Sequence, residues 1–178
     1  MCALSGKGMK VKSVLRVFAI FAILIVNVGC DQISKNIVRQ QIEYNERIAL
    51  VNDHLTLTKI ENQGALLGLG QSLPQPVKIL LLTVLPLASL GLALLYLLAN
   101  RNLSKSMVLS ICFIIGGGIG NIYDRLVYGS VTDFLHIDFV LFETAIFNMA
   151  DVSILVGVLV IMVDVLRGRT RNLFIDEV

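Results

Sequence analysis

The sequence is poor in charge. Asp, Glu, Lys and Arg make up only 16% of its 178 residues, whereas soluble domains carry about 25%. Hydrophobic residues account for 56%, and the mean hydropathy is +0.80. The apolar residues are gathered in long runs instead of following the spacing of an amphipathic helix or strand. This composition excludes an ordinary water-soluble globule and indicates an integral membrane protein.

Cysteine, histidine and cofactor motifs are also scarce. Cys2, Cys30 and Cys112 are odd in number and far apart, so their spacing indicates neither a disulfide framework nor a metal site. His54 and His136 are isolated and are expected to be solvated loop residues. The sequence has no HExxH or P-loop motif, so no metal or nucleotide cofactor is implied. It also has no basic block with interleaved aromatic residues, which argues against nucleic acid as a partner.

Four apolar runs are long enough to cross a membrane, because a hydrocarbon core of about 30 Å needs about 20 helical residues. We predict transmembrane helices at about residues 13–30, 77–99, 107–123 and 145–166, in a single membrane domain that covers residues 1–178. The ending of the first run at Cys30 would also suit a cleaved lipoprotein signal peptide. The three spans that follow favour a first transmembrane helix.

The longest polar segment, residues 31–76, lies between the first two spans. From Leu55 to Glu61 it alternates apolar and polar residues, which predicts a half-buried strand. The expected fold is therefore an all-α membrane protein of four transmembrane helices. A small extracytoplasmic β-sheet is expected to lie on the membrane surface between helices 1 and 2.

Lysine and arginine flank the spans asymmetrically. They precede the first span, separate the second from the third, and follow the fourth, and four spans bring these three segments to one face. The positive-inside rule makes this face cytoplasmic, so both termini are expected in the cytoplasm and the segments 31–76 and 123–144 outside it. The basic residues concerned are Lys7, Lys10, Lys12, Arg16, Arg101, Lys105, Arg167, Arg169 and Arg171.

Polar and acidic residues gather at the extracytoplasmic ends of spans three and four. A charge at the centre of a membrane helix costs about 2.5–3.5 kcal/mol, so such residues usually face a protein interior or a water-filled cavity. The two clusters cover residues 116–134 and 147–151, and the short connection between them predicts that they lie near each other.

Five motifs in these regions resemble those of the lipoprotein signal peptidase family, also called signal peptidase II. They are D-x-x-[ST]-K at 31–35, N-x-G-A at 62–65, G-N-x-x-D-R at 120–125, V-x-D-F at 131–134, and F-N-x-A-D at 147–151. Each motif alone is weak. Their occurrence in order, with the expected spans between them, makes the resemblance strong over about residues 13–166.

The resemblance implies a bacterial inner-membrane aspartic endopeptidase. Such an enzyme removes the signal peptide from diacylglyceryl-modified prolipoproteins by cleaving before the lipidated cysteine. The implied partners are these substrates, membrane lipid and cyclic peptide inhibitors of the globomycin type, and we expect a monomer. In the family pattern the catalytic residues are Asp133 and Asp151. Carboxylates about 3 Å apart cannot both ionise, so such a pair shares one proton and can activate a water molecule.

Asp124 is the alternative member of the pair. Because Arg125 follows it directly, we expect Asp124 to be ionised and structural, and we prefer Asp133. Without the resemblance, Asp133 could equally be a solvated loop carboxylate, and Asp151 a carboxylate favoured by the dipole of a helix N-terminus. Which aspartate starts protonated is left open.

Seven further residues are expected to support the site or bind substrate. Asn121 and Asn148 could orient the carboxylates or hold the substrate backbone, and Arg125 could pair with Asp124 or bind an ester carbonyl of a lipid. Asp31 and Lys35 suit an i,i+4 ion pair, which could be structural or contact substrate. The remaining two, which would bring the surface segment to the bound peptide, are Asn62 and Gly64.

Intramembrane carboxylates also occur in small transporters and proton pathways. That alternative predicts acids spread across the thickness of the membrane. Here Asp124, Asp133 and Asp151 gather at one end of the spans, which favours the enzyme.

Overall fold

The computed structural model describes residues 4–51, 54–65, 68–139 and 142–168, with side chains from residue 13 onward except that of Phe142. The basic residues Lys7, Lys10, Lys12, Arg169 and Arg171, which helped to orient the chain, therefore lie outside the described side chains. The elements in chain order are α1 (Leu4–Gln41), β1 (Arg47–Val51), β2 (Leu55–Asn62), α2 (Gln75–Ile79), a π-helical turn (Leu80–Val84), α3 (Leu85–Ala99), α4 (Lys105–Tyr128), β3 (Val131–Phe139), β4 (Phe142–Glu143) and α5 (Met149–Leu166).

Four helical segments of the described chain are long and apolar enough to span a membrane: Ser13–Gln41, Gln75–Ala99, Lys105–Tyr128 and Met149–Leu166. The predicted four-span architecture is confirmed. Among the candidate spans, the three largest differences from the predicted boundaries are the following. The first helix continues past residue 30 to Gln41, the third reaches Tyr128, and the fourth begins at Met149 instead of near residue 145.

These ends have local causes. The first helix continues because Asp31 and Lys35 pair within it at 2.8 Å, so the charged residues that suggested its end are satisfied there. The third ends at Gly129, whose φ of 75° is the left-handed conformation of a glycine cap. The fourth begins after Asn148, whose side chain accepts a hydrogen bond from the backbone N–H of Asp151.

The second span is interrupted near its outer end. A π-helical turn, Leu80–Val84, lies between α2 and α3 and directly precedes Pro86, which has no N–H to continue the helical ladder. The helix beside this proline shows a local change of helical pitch. Thr83 is buried inside the turn.

The sheet is antiparallel, with strand order β1-β2-β3-β4. A small sheet was predicted, but only from the segment between helices 1 and 2. Strands β3 and β4 instead come from the connection between α4 and α5, which sequence analysis treated as a loop. β3 pairs with β2 in a register that sets Asp133 opposite Ile60 and Val131 opposite Asn62. The sheet thereby brings residues from both extracytoplasmic segments together.

Glycines allow α4 and α5 to pack closely. A Cβ atom added at Gly117 would collide with the carbonyl oxygen of Ala150, and one added at Gly157 would lie 2.6 Å from the carbonyl oxygen of Ser110. Both neighbours are backbone atoms, which cannot move aside as a flexible side chain can. Small residues of this kind let membrane helices approach until their backbones touch. This close contact brings the polar end of α4 against the start of α5.

We expect Gly117→Ala to lower the free energy of unfolding by about 1–3 kcal/mol, the usual cost of overpacking a tight contact. The matched control is Gly91→Ala in α3, where an added Cβ meets nothing within 4 Å and alanine favours the helix. Thermal unfolding in detergent micelles measures both. Equal melting temperatures for the two variants would contradict the packing argument.

Candidate active site

Asp133 and Asp151 come from different elements and line one cavity. Asp133 lies on β3, and Asp151 lies in the first turn of α5. The cavity has a volume of about 70 Å³, enough to hold a water molecule between polar partners. The structure therefore brings together the two aspartates predicted as a pair. The other residues that line the cavity are Asn62, Ala65, Asn121, Arg125, Val131 and Ile146.

Three asparagines donate hydrogen bonds to the two carboxylates. Asn62 Nδ2 donates to Asp133 Oδ2 at 3.0 Å, and Asn148 Nδ2 donates to Asp133 Oδ1 at 2.6 Å. Asn121 Nδ2 donates to Asp151 Oδ1 at 2.8 Å. The backbone N–H of Asn148 donates to Asp151 Oδ2 at 3.1 Å. Each carboxylate therefore has two hydrogen-bond donors.

The orientation of each asparagine amide is fixed by a group that can only donate. Gly64 N donates to Asn62 Oδ1 at 2.9 Å, Asp151 N donates to Asn148 Oδ1 at 3.0 Å, and Lys35 Nζ donates to Asn121 Oδ1 at 2.9 Å. An amide turned by 180° would place its NH₂ group against another donor. The amide oxygens are thus assigned by chemistry, and each NH₂ group must face the aspartates.

Asn148 also joins the site to a helix. Its side chain and that of Asp151 form a reciprocal capping box at the start of α5. The same Asn148 side chain holds Asp133 through its Nδ2. Asn148 was predicted to orient the carboxylates or to hold the substrate backbone, and in the structure it contacts both aspartates.

Burial raises the pKa of Asp133 to about 6 because loss of hydration disfavours the charged form. The nearby charge of Asp151 acts in the same direction, while the hydrogen bonds from Asn62 and Asn148 and the charge of Lys35 oppose it. Asp133 is 4% exposed. A carboxyl group in this environment can hold a proton near neutral pH, as a general acid must.

A second cluster of charges lies behind the asparagines. Lys35 is fully buried and contacts Asp31 at 2.8 Å and Asp124 at 3.0 Å. Arg39 contacts Asp124 at 2.8 Å. The two positive charges of this cluster equal its two negative charges. Asp31 also accepts a hydrogen bond from the backbone N–H of Ala150 at 2.9 Å, which links the cluster to α5.

The partner of Asp124 differs from the expected one. Of the two roles predicted for Arg125, pairing with Asp124 or binding a lipid ester carbonyl, the structure does not show the first, because Asp124 forms its salt bridges with Lys35 and Arg39. Arg125 instead donates to the carbonyl oxygens of Gly64 at 3.0 Å and Asn121 at 3.3 Å. Successive residues on a helix point about 100° apart, so Asp124 turns into the bundle while Arg125 turns toward the surface segment.

Gly64 lies where the chain has no room for a side chain. An added Cβ would lie 2.6 Å from the carbonyl carbon and oxygen of Gly68. The same residue donates to Asn62 and accepts from Arg125. Gly64 therefore fastens the surface segment to both the sheet and α4, at the edge of the cavity.

Sequence analysis missed Arg39 and Gln32. Arg39 lies one helical turn after Lys35 and so on the same face of α1, which continues to Gln41. Gln32 Nε2 lies 3.1 Å from Asp31 Oδ2 and 3.0 Å from Asp124 Oδ1. Among the described residues, no group of three or more His, Cys, Asp or Glu side chains is arranged to hold a metal ion.

We expect Lys35→Met to lower the free energy of unfolding by about 3–5 kcal/mol, because it leaves the buried carboxylates of Asp31 and Asp124 with one cation between them. The control is Lys105→Met, which removes an exposed lysine. Chemical unfolding in detergent gives both values. A loss below 1 kcal/mol for Lys35→Met would show that the cluster does not stabilise the bundle.

Comparison with known proteins gives the family. A family model described as signal peptidase (SPase) II matches residues 22–167. The lipoprotein signal peptidase of Streptococcus agalactiae serotype V is 34% identical over 158 residues, which cover 89% of this chain and 98% of that protein. The lipoprotein signal peptidase of Streptococcus thermophilus is 38% identical over 148 residues, 83% of this chain and 92% of that protein.

A solved structure has the same fold. It is described as a bacterial membrane enzyme determined by the in meso method at 2.3 Å resolution. It superposes with a TM-score of 0.77 at 23% identity and covers 87% of this chain and 92% of that one. By fold and composition, the protein is thus a multi-pass membrane protein. More specifically, the chain belongs to the signal peptidase II family, which confirms the resemblance drawn from the five motifs.

Proposed function

We propose that this chain is an aspartic endopeptidase that removes the signal peptide from diacylglyceryl-modified prolipoproteins by cleaving before the lipidated cysteine. Its family membership supports the cleavage of lipoprotein signal peptides. The observation that carries the aspartic mechanism is the cavity shared by Asp133 and Asp151, together with the raised pKa of Asp133.

The chemistry follows from one proton shared by two carboxyl groups. The ionised aspartate accepts a proton from a water molecule, and the water oxygen attacks the carbonyl carbon of the scissile peptide. The protonated aspartate donates a hydrogen bond to the carbonyl oxygen and stabilises the charge that develops there. When the C–N bond breaks, the amine of the lipidated cysteine takes up the proton that the ionised aspartate had accepted from water. One water is consumed, and the pair returns to its starting protonation state.

The surroundings of the cavity suit a substrate that enters from the membrane. The outer turns of α4 present apolar side chains beside Arg125: Tyr123 is 45% exposed and Leu126 is 66% exposed. Ile79 at the outer end of the second span is also exposed. Acyl chains of a diacylglyceryl group could lie along this apolar surface while the peptide reaches the aspartates. Arg125 is placed at the edge of this surface.

The proposed orientation puts the active site on the extracytoplasmic side and both termini in the cytoplasm. Arg16 of α1 donates to the carbonyl oxygens of Leu97 at 2.8 Å and Asn100 at 2.7 Å, which ties the basic ends of the first two spans together at the end opposite the site. Basic residues on the cytoplasmic side satisfy the positive-inside rule.

The same site defines the remaining partners. A globomycin-type cyclic peptide would compete with the substrate peptide for the aspartate cavity, and membrane lipid would surround the apolar helix faces. A monomer suffices, because all residues of the proposed mechanism come from one chain. A transporter is disfavoured by the family membership.

We expect Asp133→Asn and Asp151→Asn each to reduce cleavage of a lipid-modified precursor by at least about 10³-fold. Neither variant keeps two carboxyl groups that could share a proton. The control is Asp138→Asn, which changes an exposed aspartate on the same strand. Cleavage is followed by gel shift in detergent, with melting temperature as the check on folding. Near wild-type activity in either active-site variant would refute the dyad.

We expect the diacylglyceryl-modified precursor to be cleaved at least about tenfold faster than the unmodified one at limiting concentration. Tenfold corresponds to about 1.4 kcal/mol, a modest part of what acyl-chain burial can supply. A parallel assay of both precursors, with equal peptide sequence, measures kcat/KM. Equal rates would remove lipid recognition from the proposal and leave the peptidase chemistry intact.

A further inference from the structure

Lys35 reaches the catalytic pair through one amide. Its ammonium group lies 2.8 Å from Asp31, 3.0 Å from Asp124 and 2.9 Å from Asn121 Oδ1. An ammonium has three hydrogens to donate and no acceptor, so these three contacts use its full capacity. The side chain is fully buried, so these three contacts hold the ammonium group in one position.

The effect of Lys35 on Asn121 is directional. Because the ammonium can only donate, the amide oxygen of Asn121 must face it, and the amide NH₂ group must face Asp151 at 2.8 Å. A donor on the oxygen also polarises the amide and strengthens its N–H groups as donors. Asn148 Nδ2 donates to the same oxygen at 3.2 Å and adds to this polarisation.

The two aspartates differ in how well their surroundings stabilise a negative charge. Asp151 is half-buried, lies at the third position of α5 and accepts a backbone N–H of the helix start, where the helix dipole favours an anion. Asp133 is 4% exposed, lies on a strand and accepts hydrogen bonds from the neutral amides of Asn62 and Asn148.

We propose that Lys35 is a positioning residue which, by orienting Asn121, makes Asp151 the member of the pair that is ionised before substrate binds, so that Asp133 carries the shared proton. Asp151 is then the base that takes a proton from water, and Asp133 is the acid that hydrogen-bonds the scissile carbonyl. This inference rests on the proposed aspartic mechanism and assigns the two roles within it.

Other charged groups face the pair from the surrounding elements. Arg125 on α4 interacts electrostatically with both aspartates. On α1 and α4, Asp31 and Asp124 form salt bridges with Lys35 and Arg39, and the charge of Lys35 lowers the pKa of Asp133. On β2, Glu61 accepts hydrogen bonds from Ser130 and Thr132. Arg125 acts on both members of the pair, whereas the hydrogen bond from Asn121 acts on Asp151 alone.

The roles can be read from the two limbs of the pH profile of kcat/KM, which report the essential base and acid of the free enzyme. Asn121→Ala removes a donor from Asp151, so ionisation of the base requires higher pH. The acid limb should move up by about one pH unit while the alkaline limb stays in place. Asn62→Ala removes a donor from Asp133 and raises its pKa, so the alkaline limb should move up by about one unit while the acid limb stays.

The outcomes separate the two proposals. Loss of activity in Asp133→Asn and Asp151→Asn supports the aspartic mechanism whatever the limbs do. If Asn121→Ala moves the alkaline limb and Asn62→Ala the acid limb, the roles are reversed. If neither limb moves, the two amides are merely structural. Either of these results overturns the role assignment without touching the mechanism.

The effect of Lys35 is tested with a charge-balanced double variant. Lys35→Met with Asp31→Asn removes one cation and one anion together, so the net charge of the cluster is kept. In the wild-type background, this double variant should move the acid limb to higher pH. In the Asn121→Ala background it should cause no further shift, because Lys35 acts on Asp151 through Asn121. A further shift of half a unit or more would show that Lys35 acts independently of Asn121.

Asn121→Asp tests the same route with Lys35 in place. This isosteric change keeps an oxygen for Lys35 but sets a carboxylate where the donor to Asp151 was. The acid limb should then move further than in Asn121→Ala. An unchanged acid limb would overturn the proposal even if the Lys35 double variant did not fold.

Discussion

The structure depends on a lysine ammonium that is buried at the level of the candidate active site. Lys35 binds Asp31 within α1, and Asp124 and Asn121 on α4, while Asp31 accepts the backbone N–H of Ala150 on α5. Three of the four spans are therefore fastened at one depth. An unbalanced charge buried there would be costly, so the spans are held in the register that satisfies this cluster.

Close helix packing makes this arrangement possible. At Gly117 and Gly157 the backbones of α4 and α5 touch, and at Gly120 an added Cβ would collide with the carboxylate of Asp31. The glycines of α4 thus have two functions. On one side they admit a neighbouring backbone, and on the other they leave room for the carboxylate that holds Lys35. Elsewhere in the bundle the core is apolar and is centred on Ile20, Leu97 and Ile115.

The sequence predicted the spans and the members of the site because both rest on strong local signals. Long apolar runs identify the helices, and the five motifs select the polar residues. The sequence did not predict β3, because Asp133 interrupts the apolar positions of the strand. The residues from Val131 to Phe134 are all buried, so they do not alternate between apolar and polar as a half-buried strand does. Nor could it show that Asp124 pairs with Lys35 and Arg39 and not with its neighbour Arg125, because that depends on how far the first helix continues. The orientation of the asparagine amides likewise depends on contacts between distant segments.

Asn148 performs two tasks that are normally separate. Its side chain starts a membrane helix by capping α5, and the same amide holds Asp133 at 2.6 Å. Helix initiation and assembly of the aspartate pair are therefore one event. Under the proposed aspartic mechanism, a newly made chain whose last span has not yet formed lacks the second carboxylate in its working position, so it gains activity only when its own insertion is complete.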